Sequence, residues 1–137
     1  MLFRSADYAH TGLTLRRHPL ALLRGKLTTQ KILSAADLKQ IQHGQRIRIA
    51  GIVTCRQRPG TASGVTFITL EDETGYSNIV VWRDLADRQR RVLLAANLMC
   101  VDGILERKGE VIHVIAKHLI DHSRLLGSLV IESRDFH

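Results

Sequence analysis

A chain of 137 residues, 45% hydrophobic and 24% charged, is long enough to bury one core of its own and too apolar to stay disordered. Twenty Lys and Arg against thirteen Asp and Glu give a formal charge of +7, which favours a polyanionic partner, and no apolar run approaches the roughly 20 residues of a membrane span. Met1-Leu2-Phe3-Arg4-Ser5 leads into polar sequence rather than a secretory leader, so the protein is read as cytoplasmic with no membrane partner.

The basic excess is uneven. Residues 1–45 carry seven basic and two acidic side chains, residues 46–121 eleven and nine. Cys55 and Cys100 stand alone, without a C-x-x-C pair or a histidine at ligand spacing, and are expected to be buried, reduced and free of metal. Neither a cofactor nor a catalytic constellation is expected.

Pro19 suits the first position of a short helix. Ser34, with Asp37 three residues on, resembles a capping box opening a second helix that places Ala35, Leu38 and Ile41 on one face and ends at His43-Gly44. From Arg46 the period becomes two, so a long strand is expected, with a bulge or bend at Gly51. After the loop 58–64, Val65 to Glu71 reads as a second strand, Asp72-Glu73-Thr74-Gly75 as a turn, and Tyr76 to Trp82 as a third strand. Asp84 is expected to cap a helix running to about Ala95, with Leu85, Val92 and Leu93 inward. Leu98 to Glu106 and Glu110 to Asp121 read as a hairpin about Arg107-Lys108-Gly109, with His113 and His118 on opposite faces of its last strand.

Three strands, a helix and two strands give a mainly β fold: a five-stranded OB-fold barrel with a helix between strands 3 and 4, preceded by short N-terminal helices. Such barrels bind oligonucleotides on the strand 2–3 face and in the loops after strands 1 and 4. The chain divides into an N-terminal helical or linker segment (1–45), the barrel (46–121) and a tail (122–137). Period-two placement turns Ile68, Leu70, Ile79 and Val81 inward. Phe67, Asn78 and Trp82 then face outward, the aromatics as stacking platforms for bases, with Arg83 beside Trp82 extending the platform. Arg56 and Arg58 at one rim, with Arg107 and Lys108 in the last hairpin loop, are the candidate phosphate contacts. Glu71, Asp72 and Glu73 are read as turn formers, not as a metal site.

The runs Thr11-Gly12-Leu13-Thr14-Leu15, Arg56-Gln57-Arg58-Pro59-Gly60-Thr61-Ala62, Val65-Thr66-Phe67-Ile68-Thr69-Leu70-Glu71-Asp72-Glu73-Thr74-Gly75 and Ser133-Arg134-Asp135-Phe136-His137 resemble the C-terminal segment of bacterial error-prone DNA polymerase, a relative of the DNA polymerase III alpha subunit. The resemblance covers nearly the whole chain. It implies single-stranded DNA as partner, a part in translesion synthesis and repair, and company with accessory mutasome subunits and the sliding clamp. That polymerase is several times longer and its catalytic carboxylates have no counterpart here, so the chain is read as a fragment or split product that binds DNA without polymerising it. The alternative is a barrel that docks polymerase accessory subunits.

Overall fold

The computed structural model describes residues 18–58 and 64–127. The Thr11-Gly12-Leu13-Thr14-Leu15 run, loop residues 59–63 and the terminal residues 128–137 lie outside them. Five strands, β1 (Arg46–Gln57), β2 (Thr66–Asp72), β3 (Gly75–Val81), β4 (Leu98–Lys108) and β5 (Val111–Asp121), close in the order β1-β2-β3-β5-β4. All neighbours are antiparallel except β3 and β5, which pair in parallel through Ile79–Val114 and Val80–Ile115. The expected OB barrel is present, with its helical segment between β3 and β4.

Closure depends on β1 serving two partners. Arg46 to Ile52 pair with β4, Ile52 to Gln57 pair with β2, and the register shifts between Val53 and Cys55. Gly51 stands at the handover, where a β-carbon would lie 2.8 Å from Leu70 Cβ and 3.0 Å from the Glu71 carbonyl oxygen. Alternate residues of every strand fill the interior: Ile47, Ile49, Ile68, Leu70, Ile79, Val81, Met99, Val101, Leu105 and Val114 are all buried there.

The helix α1 (Pro19–Thr29) starts as expected at Pro19, with His18 Nδ1 accepting from the Leu20 amide at 3.1 Å. Its Leu20, Leu23 and Leu27, with Ile32, build a second core against Ala50, Leu98 and Cys100 on the outside of the barrel. A polar latch fixes it there. Arg24 grips Glu73 with two hydrogen bonds of 2.6 and 2.8 Å, and Asp72, itself buried, accepts from the Ala35 amide at 2.7 Å. The other Asp72 oxygen accepts from the Thr74 amide and hydroxyl and the Gly75 amide, so the turn reading of the acidic run holds.

Several local expectations give way. The Ser34–Asp37 capping box forms, with bonds of 2.9 and 3.2 Å, but opens only a 3-10 turn, Asp37–Gln40. The Arg107 guanidinium takes the carbonyls of Leu38, Lys39 and Ile41, and the chain is already extended at Ile41. The helix expected from Asp84 to Ala95 is two pieces, α2 (Arg83–Arg88) and α3 (Arg90–Ala95). They break at Gln89, whose amide side chain bonds the backbone of Leu119 in both directions, at 2.8 and 2.7 Å. The cap of α2 is Trp82, so Asp84 lies inside the first turn. Arg107 and Lys108 belong to the end of β4, not to a loop. A bulge at Asp102/Gly103, opposite Lys117, shifts the β5 phase, so His113 and His118 pair with Glu106 and Asp102 on the same outer side of the barrel. Five residues of strand, about 16 Å, still separate them. Cys100 is buried, which raises its thiol pKa to about 11, but Cys55 is only half-buried on the outer face.

Gly51→Ala is expected to cost about 1–3 kcal/mol, because the new methyl meets backbone atoms that cannot yield. Urea unfolding measures this. The Arg24 hydrogen bond holds the Glu73 carboxyl below the usual carboxylate range, so the latch's contribution is complete above about pH 4.3 and is lost as pH falls through the lowered value. Glu73→Gln should lower the melting temperature at pH 7 and flatten its acid limb. Superimposable acid limbs would remove the latch from the account.

Candidate nucleic-acid interface

The apolar core of α1 lies on the outside of β1 and β4, and α1 reaches the β2–β3 side at the turn, through His18 to Glu71 and Arg24 to Glu73, so the outer face at Phe67 and Asn78 stays open. Cross-strand register fixes what that face presents: Phe67 opposite Val80, Thr69 opposite Asn78, and Glu71 opposite Tyr76. Phe67 is 39% exposed and Asn78 is exposed, while Val80, on the same face, is buried beside Ile115 of β5. Trp82 continues the extended backbone of β3 (ψ 159°) and is 52% exposed. The sequence thus places Phe67, Asn78 and Trp82 on one outward row.

The four candidate cations divide into two kinds. Arg58 and Lys108 are exposed and make no ion pair among the described residues. Arg56 and Arg107 serve the fold. Arg56 Nε donates to the Leu93 carbonyl at 2.6 Å and its terminal nitrogen to the Ala96 carbonyl, closing the C-terminus of α3 where a cation also meets the negative end of the helix dipole. Arg107 is half-buried; its guanidinium closes the 3-10 turn and its amide donates to His43 Nδ1 at 2.9 Å.

Tyr76 and Arg90 were not singled out from the sequence, whereas Arg83 was read there beside Trp82 as an extension of the platform. Tyr76 is 65% exposed on the same outer row and was legible from its even spacing with Asn78 and Trp82. Arg83 lies against Gly64 at the entrance to β2. Arg90 joins Arg56 and Arg58 around a hollow of about 150 Å³ whose acidic member is Asp87. Only the folding of α3 beside the end of β1 brings Arg90 there. The face is polarised: Glu71 and the latched Glu73 stand at the β2–β3 turn, and arginines gather at the opposite end.

Residues 47–121 match the family model described as OB-fold nucleic acid binding domain. The chain belongs to this family. Over 96% of its length it is 58% identical to the error-prone DNA polymerase of Alkalilimnicola ehrlichii, and over the same share 59% identical to that of Pseudomonas fluorescens Pf-5. It spans 13% of the length of each. The resemblance read from the sequence is therefore borne out, for an OB-fold segment of such polymerases. Among solved structures the fold is similar to asparaginyl-tRNA synthetase from Pyrococcus horikoshii (TM-score 0.55, 20% identity, 66% of this chain and 22% of that one). It is also similar to OBody AM1L10 bound to hen egg-white lysozyme (TM-score 0.52, 17% identity, 66% and 91%). No helix among the described residues is long and apolar enough to cross a membrane.

The two kinds of arginine in this OB-fold domain separate in a stability measurement. Arg56→Ala leaves two helix-end carbonyls without their donor and should cost about 1–2 kcal/mol. Arg58→Ala should stay within about 0.5 kcal/mol of the parent. Equal melting temperatures for the two variants would contradict the capping role of Arg56.

Proposed function

We propose that this domain holds single-stranded DNA across the outer face of β2 and β3, with bases stacking on Phe67 and Trp82 and Asn78 bonding a base edge between them. Arg58 is the principal phosphate contact, Arg56 offers the donor its helix cap leaves over, and Lys108 with the Arg107 end of β4 reaches the strand at the far rim. The observation that carries this reading is the exposure of Phe67 and Trp82 at the arginine end of the β2–β3 face, outside the core that α1 forms on the barrel. Large aromatic groups left in water beside arginines suit unpaired bases, which stack without regard to sequence. The family description supports a nucleic acid, and the relatives' name, DNA polymerase, supports DNA over RNA.

The chain binds and does no bond chemistry. It acts as the template-handling segment of an error-prone polymerase in translesion synthesis and repair, in the cytoplasm, alongside the other subunits of that machinery. Polymerisation belongs to parts of the relatives that this chain does not span.

Fluorescence anisotropy of a labelled oligothymidylate, titrated with salt, tests the proposal. Affinity should fall with salt at a log-log slope of about −0.7 per phosphate contact. Phe67→Ala should remove about 1–3 kcal/mol, roughly 5- to 150-fold in Kd, at an unchanged melting temperature. Binding indifferent to both salt and this substitution would discard the site.

A further inference from the structure

Ahead of Ile52, β1 has an open edge. From Arg46 to Gly51 its ladder partner is β4, since β2 joins only at Ile52. The odd residues face β4, as the bond from the Leu105 amide to the Gln45 carbonyl shows. The even residues face outward, where the Leu33 amide reaches the Arg48 carbonyl at 2.8 Å in an isolated parallel bridge. No described residue pairs through its backbone with the remaining outward groups, the Arg46 N–H and C=O and the Arg48 N–H. An unpaired strand edge is a template for another chain.

A groove of about 470 Å³ runs along this edge. Half-buried Leu33 and Ile41 supply an apolar surface, and Gln45, Lys31, Arg46 and Arg48 form the rim. Asp102 neutralises Arg46 through bonds of 3.0 and 3.3 Å. Lys31 and Arg48 are exposed and have no ion-pair partner among the described residues. Lys31 also holds a left-handed backbone, φ 61°, where α1 ends in a Schellman pair: Ile32 N–H to Leu27 O and Lys31 N–H to Thr28 O, both 2.9 Å. Glycine suits that position best, and a lysine there carries strain while setting its ammonium on the groove rim.

We propose that this groove takes a short extended acidic segment of a partner protein as an added strand. Its backbone pairs with Arg46 and Arg48, its apolar side chains cover Leu33 and Ile41, and its carboxylates meet Lys31 and Arg48. The pattern is strand addition, in which backbone bonds give affinity and alternate side chains give specificity. A nucleic-acid strand would use the cations but neither the open backbone edge nor the apolar surface, and the groove holds no aromatic platform. The groove shares no lining residue with the site proposed for DNA, though Arg107 of that site bonds the Ile41 carbonyl, so either can fail alone.

A labelled eight-residue peptide alternating isoleucine and glutamate is the probe, titrated against the full chain. Only one alternate set of peptide amides can face β1, so N-methylation of that set should weaken binding at least about tenfold and methylation of the other set should not. Arg48→Glu should weaken binding by a similar factor. Lys31→Gly should raise the melting temperature yet weaken the peptide several-fold, a combination that damage to the fold cannot produce. Phe67→Ala and saturating oligothymidylate should leave the peptide bound. The proposal is overturned if both methylated peptides bind alike, if Lys31→Gly and Arg48→Glu bind as the parent does, or if oligothymidylate displaces the peptide, which would make the groove a nucleic-acid track.

Discussion

The absence of a side chain at Gly51 governs the architecture. One strand must leave β4 and join β2 within a residue or two, and at that corner the backbone of β1 lies against Leu70 and Glu71 too closely for a β-carbon. Gly103 plays the matching part on β4, where the Ile115 carbonyl of β5 occupies the place a β-carbon would need. Two close backbone approaches let the five strands close around one interior core. A closed ladder has few edges to protect, and the open stretch at Arg46–Arg48 is one of them, together with the part of β3 that β5 does not pair.

Closure also sorts the outer surface. The first half of β1 and the start of β4 present Ala50, Leu98 and Cys100, small or apolar groups on which α1 lays Leu20, Leu23 and Leu27. The latch of Arg24 to Glu73 and of Asp72 to the Ala35 amide then ties the helical segment to the β2–β3 turn. The outer face carrying Phe67, Asn78 and Trp82 lies outside that core. A segment resembling a linker in the sequence thus covers part of the barrel and leaves this face available.

The phase of β2 and β3 was legible because Ile68, Leu70, Ile79 and Val81 alternate with Phe67, Thr69, Asn78 and Trp82, Val80 being the aliphatic exception, and one face must be buried. The helices were less legible. A capping box at Ser34 and an acidic residue at Asp84 report local preference, and in both places tertiary partners, Arg107 and Gln89, claimed the backbone groups a longer helix would have used. The phase of β5 failed for a third reason. One extra residue at a bulge reverses every side chain beyond it, and nothing in the run His113 to His118 advertises the insertion.

Net charge was the least informative guide to the candidate site. The +7 excess suggests a surface of interchangeable cations, yet the arginines fall into distinct tasks once folded. Arg24 holds a carboxylate, Arg46 is matched by Asp102, and Arg56 and Arg107 close helix ends by donating to carbonyls. A guanidinium suits this work because its planar fork can bond several oxygens at once. Among the cations not engaged in this way, Arg58 and Lys108 at the rims and Lys31 and Arg48 in the groove stand beside features that tell them apart, and their positions carry the information. A polyanion and an acidic peptide would both be drawn to the same total charge. What separates them is the company each cation keeps: exposed rings beside Arg58, an open strand edge and aliphatic side chains beside Arg48.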